Sequence, residues 1–152
     1  MTETAFPETG RLMGVDAGER RVGVAVTDEF RMIASPMATV MRGKSEIAQI
    51  RELAARFGIS GIVAGLPRSM SGREGQQADD ARVYAESLAE SLGLPLRFWD
   101  ERLTTAMADR SLIEAGRNRK QRKDVVDAVA AALMLQSYID SRVSQGGTRR
   151  GA

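Results

Sequence analysis

Three carboxylates, Asp16, Glu101 and Asp127, stand where runs of apolar residues should not tolerate a charge. Asp16 ends the strand-like run Leu12-Met13-Gly14-Val15, and Glu101 ends Leu96-Arg97-Phe98-Trp99-Asp100. Asp127 interrupts the apolar stretch from Val125 to Leu135. An ionised carboxylate in apolar surroundings is costly unless a cation pairs with it. One shared divalent metal would serve all three, and converging acidic oxygens make a hard cage suited to Mg²⁺ or Mn²⁺. Paired ions of this kind activate a water and stabilise a departing oxygen in phosphodiester hydrolysis. The expectation is a metal-dependent nuclease site in which Asp16, Glu101 and Asp127 are both the metal ligands and the catalytic residues.

Each carboxylate also has an ordinary structural explanation. Asp16 suits the opening of a turn before Gly18, Glu101 suits an ion pair with Arg102, and Asp127 suits the first turn of a helix. Taken singly, these explanations are as good as the chemical one; together they require three coincidences. Asp28, Asp100 and Asp124 are rival acids. Asp100 is expected on the opposite strand face from Glu101, and Asp124 stands where a helix N-cap is expected.

Composition narrows the chemistry. The 152 residues include no cysteine and no histidine, and the net charge is +2. Disulfides, thiol nucleophiles, histidine-based metal sites and the serine–histidine triad are thereby excluded. A chain of this length is expected to form one domain with a sound core of its own. No window is apolar enough for a membrane span, and the start Met1-Thr2-Glu3-Thr4-Ala5 is unlike a signal peptide, so a cytoplasmic location is the expectation.

Of the 22 basic residues, 19 are arginine, and five cationic side chains cluster in Arg117-Asn118-Arg119-Lys120-Gln121-Arg122-Lys123. The planar guanidinium fork suits phosphate oxygens. Arg117, Arg119, Lys120, Arg122 and Lys123 are therefore expected to contact nucleic acid, as a loop that clamps substrate. Arg20 and Arg21, in a short hairpin, and Arg102, beside Glu101, are assigned the same role.

The elements that must position these groups follow from periodicity. Arg11 to Asp16, Arg21 to Asp28 and Ile33 to Met41 read as three strands; Val22, Val24 and Val26 alternate as antiparallel pairing requires. Ala17-Gly18-Glu19-Arg20 is short enough for a hairpin link, and Pro36 pushes the third strand to a sheet edge. Helical spacing then runs from Ile47 to Phe57, with Ser45 as the expected cap and Gly58 as the stop. Gly61 to Gly65 reads as a buried parallel strand. A helix is expected from the capping-box spacing Ser71-Gly72-Arg73-Glu74 to about Leu92, burying Ala81, Tyr84 or Ala85, and Leu88. A fifth strand follows to Glu101, then a helix from Thr104 or Thr105 to Ala115, then a last helix from about Asp124 to Val143.

The order β-β-β-α-β-α-β-α-α implies an α/β fold with a mixed five-stranded sheet flanked by helices, the order of the ribonuclease H-like fold. The domain is expected over residues 10–143, with flexible tails at 1–9 and 144–152. In such a sheet ligands gather at the carboxyl ends of the parallel strands, where Asp16 and Glu101 fall. The Gly65 to Gly72 link leads into a helix N-terminus, a place suited either to phosphate or to an ordinary connection.

Five segments, in order over roughly residues 11–140, resemble the YqgF/RuvX family. They are Met13-Gly14-Val15-Asp16-Ala17-Gly18, Arg21-Val22-Gly23-Val24-Ala25, Val63-Ala64-Gly65-Leu66-Pro67 with Ser71-Gly72, Asp100-Glu101-Arg102-Leu103-Thr104-Thr105, and Val126-Asp127-Ala128 with Ala130-Ala131. The resemblance implies the ribonuclease H-like fold and an acidic triad at Asp16, Glu101 and Asp127. It also implies a Holliday-junction-resolvase-like protein that processes the 5′ end of pre-16S rRNA in ribosome biogenesis. Ala17, where many members carry a larger residue, and Asp124 are departures; the second adds charge beside Asp127.

Nucleic acid is the expected partner, with precursor rRNA favoured and branched DNA possible. Junction resolution would require paired sites and favour a dimer; no dimer seam is visible, so a monomer or weak homodimer is expected. A non-catalytic RNA-binding assembly or transcription factor is a further alternative, opposed by the presence of all three carboxylates. An actin-like ATPase would need two such domains, for which the chain is too short.

Overall fold

The computed structural model describes residues 6–66, 72–100 and 119–150. Strands β1 (Arg11–Ala17), β2 (Arg21–Thr27) and β3 (Ala34–Met41) come first, then helix α1 (Glu46–Phe57), β4 (Ile59–Leu66), α2 (Gly72–Leu92) and β5 (Leu96–Asp100). Helix α3 (Arg119–Arg150) is the last element described. The five strands form one mixed sheet in the order β3-β2-β1-β4-β5. The helix expected from Thr104 or Thr105 to Ala115 lies outside the described residues, as do Pro67 to Ser71 of the strand-to-helix link.

The first three strands pair antiparallel because their links are short. In the first link the Gly18 N–H donates to the Arg21 carbonyl at 2.7 Å. Pro36 sits on the sheet edge as its missing N–H requires, and Met37 bulges out of register between the pairs Val24↔Ala38 and Ala25↔Pro36. Strands β1, β4 and β5 are parallel, with Val15 opposite Ala64 and Ala64 opposite Phe98. Their carboxyl ends therefore emerge along one edge of the sheet.

Strand alternation divides the core in two. Met13, Val15, Val22, Val24 and Val26 pack with Ile50 of α1 and with Leu88 and Ala89 of α2. Leu12, Ala25 and Val63 face the other way, against Ala131, Met134, Leu135, Tyr138 and Ile139 of α3. That helix lies close because β1 offers it a glycine: a Cβ on Gly14 would stand 2.9 Å from Leu135 Cβ.

Four expectations change. Helix α3 begins at Arg119 rather than about Asp124 and runs to Arg150 rather than Val143, so the tail expected from residue 144 is helical as far as Arg150. The packed centre from Ala128 to Ile139 nucleates the helix, and each added residue then costs little, Gly146 and Gly147 included. For the same reason Arg119 to Lys123 form the first turns of α3, not a loop, and Asp124 is no N-cap. At the other end of the chain, Phe6 of the expected loose tail is docked. Its ring meets Tyr138 edge-on at 6.3 Å, and the Arg97 guanidinium lies over it at 4.6 Å, because burying an aromatic outweighs ordering a short segment. Finally, Ser45 occupies the N-cap position of α1 without a capping hydrogen bond. Its hydroxyl accepts from Gln49 instead, while Gly58 closes the helix in the left-handed region as expected.

Candidate active site

Asp16 stands at the carboxyl end of β1, on the strand face shared with Leu12 and Gly14 that looks toward α3. Its register partner on β2 is Gly23. A Cβ at Gly23 would lie 1.8 Å from the Asp127 carbonyl oxygen, so glycine at that position allows the α3 backbone to rest on β2. The result brings Asp127 beside the end of β1. Asp16 and Asp127 line one cleft of about 900 Å³, with Gly18, Arg42, Asp80 and Tyr84 among its other walls.

Asp127 sits eight residues into α3, beyond the reach of the helix-end dipole, which falls off within the first turn. The dipole therefore does not account for its charge there. Its Oδ2 lies 2.9 Å from Arg21 Nε, with the two side chains 24% and 37% exposed. That contact is an ion pair without the alignment of a hydrogen bond: Oδ2 is itself buried and accepts no hydrogen bond among the described residues. A buried carboxylate oxygen in this condition wants a further cation. Arg21, expected to touch a nucleic-acid backbone, is thus engaged with Asp127, while Arg20 is exposed at the turn.

The third expected carboxylate, Glu101, lies outside the described residues, as do Arg102 and Arg117. Among the described residues no three acidic groups gather to hold a metal. Strand β5 nonetheless delivers the chain to the right edge: Asp100 pairs with Leu66, one step past the pair Gly65↔Trp99. Arg97 and Trp99 bond to Tyr138 and Ser137 of α3, which fixes the parity of residues on the α3 face. Arg119, Lys120, Arg122 and Lys123 all fall in the first turns of α3, on the same helix as Asp127.

Asp28, a rival acid, has a structural task. Its carboxylate accepts the N–H groups of Ile33 and Met32 at 2.8 Å and of Phe30 at 3.2 Å. These bonds, that of Ile33 foremost, hold its pKa below the usual carboxylate value.

One cluster was not singled out from the sequence. Arg42, at the end of β3, lies with its guanidinium 4.3 Å from the centre of the Tyr84 ring, and its Nη1 donates to the Gly18 carbonyl at 2.7 Å. The Tyr84 hydroxyl donates to the Glu46 carboxylate, which is only 7% exposed and also accepts the Gly43 N–H at 2.8 Å. Burial and the Glu46 carboxylate push the Tyr84 pKa well up. Helical spacing marked Tyr84 only as a core position; its pairing with Glu46, 38 residues away, has no local signal.

A mixed sheet with three parallel strands, backed by α3, with one aspartate at the end of β1 and another on α3 lining the same cleft, defines a ribonuclease H-like protein. Solved structures agree on the fold. The Thermus thermophilus RuvC in complex with Holliday junction substrate matches with a TM-score of 0.53 at 16% identity, covering 88% of this chain and 96% of that one. The fowlpox virus resolvase in complex with Holliday junction DNA matches with a TM-score of 0.51 at 10% identity, covering 88% and 99%. In sequence, residues 10–141 match the RuvX family, described as Holliday junction resolvase. A protein of Cereibacter sphaeroides named "Putative pre-16S rRNA nuclease" is 46% identical over 97% of this chain and 93% of its own length. A protein of the same name from Moorella thermoacetica is 42% identical over 90% of this chain and 99% of its own. The chain belongs to the RuvX family.

Proposed function

We propose that this chain is a divalent-metal-dependent nuclease of structured nucleic acid that processes the 5′ end of pre-16S rRNA. The observation that carries the reading is the buried Asp127 Oδ2, which accepts no hydrogen bond among the described residues and belongs to a residue lining the cleft shared with Asp16. The all-oxygen donor set of Asp16, Asp127 and Glu101 fits Mg²⁺ or Mn²⁺. Glu101 is assigned by its motif and by the alternation that runs through Arg97 and Trp99. When bound, such ions supply an activated water and charge neutralisation at the leaving oxygen.

The protein's own contribution is to hold these carboxylates in place before substrate arrives. Gly23 seats Asp127, and the paired strands β1 and β2 fix Asp16. Arg21, already at Asp127, balances charge in the acidic cleft. The cationic residues Arg119, Lys120, Arg122 and Lys123 share the positive end of the α3 dipole, a setting that favours phosphates. Arg20, Arg102 and Arg117 are assigned to the substrate backbone as well. Ribosome maturation places the protein in the cytoplasm, and no helix among the described residues is long and apolar enough to cross a membrane. The working unit is a monomer or weak homodimer.

The relatives' shared name favours precursor rRNA, while the family description favours a DNA junction. Cleavage of a 5′-extended 16S precursor RNA and of a four-way DNA junction, side by side, separates them. Each is incubated with Mg²⁺, with Mn²⁺ and with chelator, and Asp16→Asn controls for a contaminating nuclease. Metal-dependent cutting of the RNA, absent in the variant, is the expected result. Symmetric nicking of the junction alone would make the protein a resolvase. Binding without cutting of either would make it an assembly factor.

A further inference from the structure

The cleft presents a difficulty for a polyanionic strand. Among the described residues its walls include four carboxylates, Asp16, Glu19, Asp80 and Asp127, and one cationic side chain, Arg42; Arg21, outside the walls, is taken up by Asp127. Like charges repel strongly in a partly enclosed site. Metal at the carboxylates would offset the charge at the scissile phosphate, but the neighbouring phosphates need a cation of their own.

Arg42 is built for that task. Its guanidinium rests on the Tyr84 ring and is tethered to the Gly18 carbonyl, so its rotamer is fixed before any ligand arrives. The ring is held in turn through its hydroxyl by Glu46, which is locked to the Gly43 N–H. Among the described residues no carboxylate forms an ion pair with Arg42, and only one of its five N–H groups is taken by a hydrogen bond. Its anchor, Gly18, is two residues from Asp16. Two residues span at most ~7 Å of chain, the order of one phosphate-to-phosphate step along a strand.

We propose that Arg42, stacked on Tyr84, is a strand-positioning subsite that takes a phosphodiester flanking the scissile one. The inference rests on the nuclease reading and adds to it a residue outside the acidic triad and outside the basic segment. Arg42 acts by binding and orienting the strand; it takes no part in proton or phosphoryl transfer. The purely structural alternative is that Arg42 only staples the end of β3 to the first hairpin, since its backbone N–H also donates to the Arg20 carbonyl.

Binding, read separately from cleavage, decides between the two. The full-length chain carrying Asp16→Asn is titrated with a fluorescent 5′-extended 16S precursor fragment at several salt concentrations. Arg42→Ala, Arg42→Lys and Arg42→Gln are then added in turn, with a thermal melt of each. Gln keeps a donor for the Gly18 carbonyl and serves if Ala fails to fold. Loss of one phosphate contact should lower the salt slope of log Kd by about 0.7–0.9, together with at least a tenfold weaker affinity for Ala and Gln. Lys should restore the slope but not the full affinity, because it lacks the planar fork. Unchanged affinity and slope with a lowered melting point would overturn the subsite and leave Arg42 a staple. A parent that binds neither RNA nor junction would overturn the nuclease reading along with it.

Discussion

Gly23 lies directly beneath the main chain of Asp127: a Cβ on Gly23 would stand 1.8 Å from the Asp127 carbonyl oxygen and 2.2 Å from its carbonyl carbon. Because the obstacle is backbone, no rotamer change relieves the overlap. Gly23→Ala should therefore push α3 off β2 and carry Asp127 away from Asp16. Overpacking of this kind costs about 1–3 kcal/mol or more. Urea unfolding should show the loss, and calorimetric titration with Mn²⁺ should show weakened binding in whatever fraction still folds. A variant with native stability and metal affinity would mean that the seat of Asp127 is unimportant.

Asp127 itself should matter for the metal and little for the fold. Its Oδ2 is buried but makes no hydrogen bond among the described residues, and its ion-pair partner Arg21 is more than a third exposed. Asp127→Asn thus removes a poorly satisfied charge, and exposed pairs of this type are worth only about 0–1 kcal/mol. Metal-dependent cleavage, in contrast, should fall by about a hundredfold or more, since a lost ligand forfeits several kcal/mol of transition-state stabilisation. Single-turnover rates beside melting temperatures give both quantities. A variant that melts far below the wild type would point to a structural carboxylate.

Much of this arrangement was legible in the sequence where a local rule carried it. Val22, Val24 and Val26 announced a strand with one face in the core, and Pro36 announced an edge. Asp16 stood out because an acid ended an apolar strand. The ends of α3 were not legible: clustered cations at Arg119 to Lys123 read as a loop, and the segment around Gly146-Gly147 read as a flexible tail. Both oppose a helix locally, yet the packed residues from Ala128 to Ile139 sustain it. Arg42, Tyr84 and Glu46 escaped because no spacing rule joins a strand end, a helix start and a second helix. Tyr84 alone carried a signal, as a helical core position, and that signal pointed to packing rather than to Glu46.

The Asp28 turn predicts behaviour in acid. Bonds from Ile33 above all, and from Met32 and Phe30, lower its pKa in the folded chain from the ordinary 3.8. A depressed carboxylate contributes stability that is present above its unfolded pKa and is lost as pH falls through the folded one. Below about pH 4 the turn from Asp28 to Ile33 should loosen, and Asp28→Asn should loosen it at neutral pH. The amide carbonyl oxygen can still accept from Met32 and Ile33, but the amino group cannot accept from Phe30. Amide hydrogen exchange at residues 30–33 measures the effect. Equal protection in both proteins at pH 7 would show that the carboxylate does not hold the turn.

Tyr84 predicts the opposite limb. Burial first, and then the hydrogen bond and charge of Glu46, raise its pKa above the ordinary 10.0. A group whose folded pKa is raised contributes stability that is complete below the unfolded value and declines as pH rises toward the folded one. Wild-type stability should therefore fall above pH ~10 with a slope approaching one proton, and Tyr84→Phe should lack that component. Every other side chain is common to the two proteins, so the difference between the two curves isolates Tyr84. At neutral pH the same substitution strands an oxygen of the buried Glu46, at a cost of about 1–3 kcal/mol. Parallel curves above pH 10 with no loss at pH 7 would mean that the Tyr84–Glu46 bond contributes nothing, and that the ring beneath the Arg42 guanidinium is held by core packing alone.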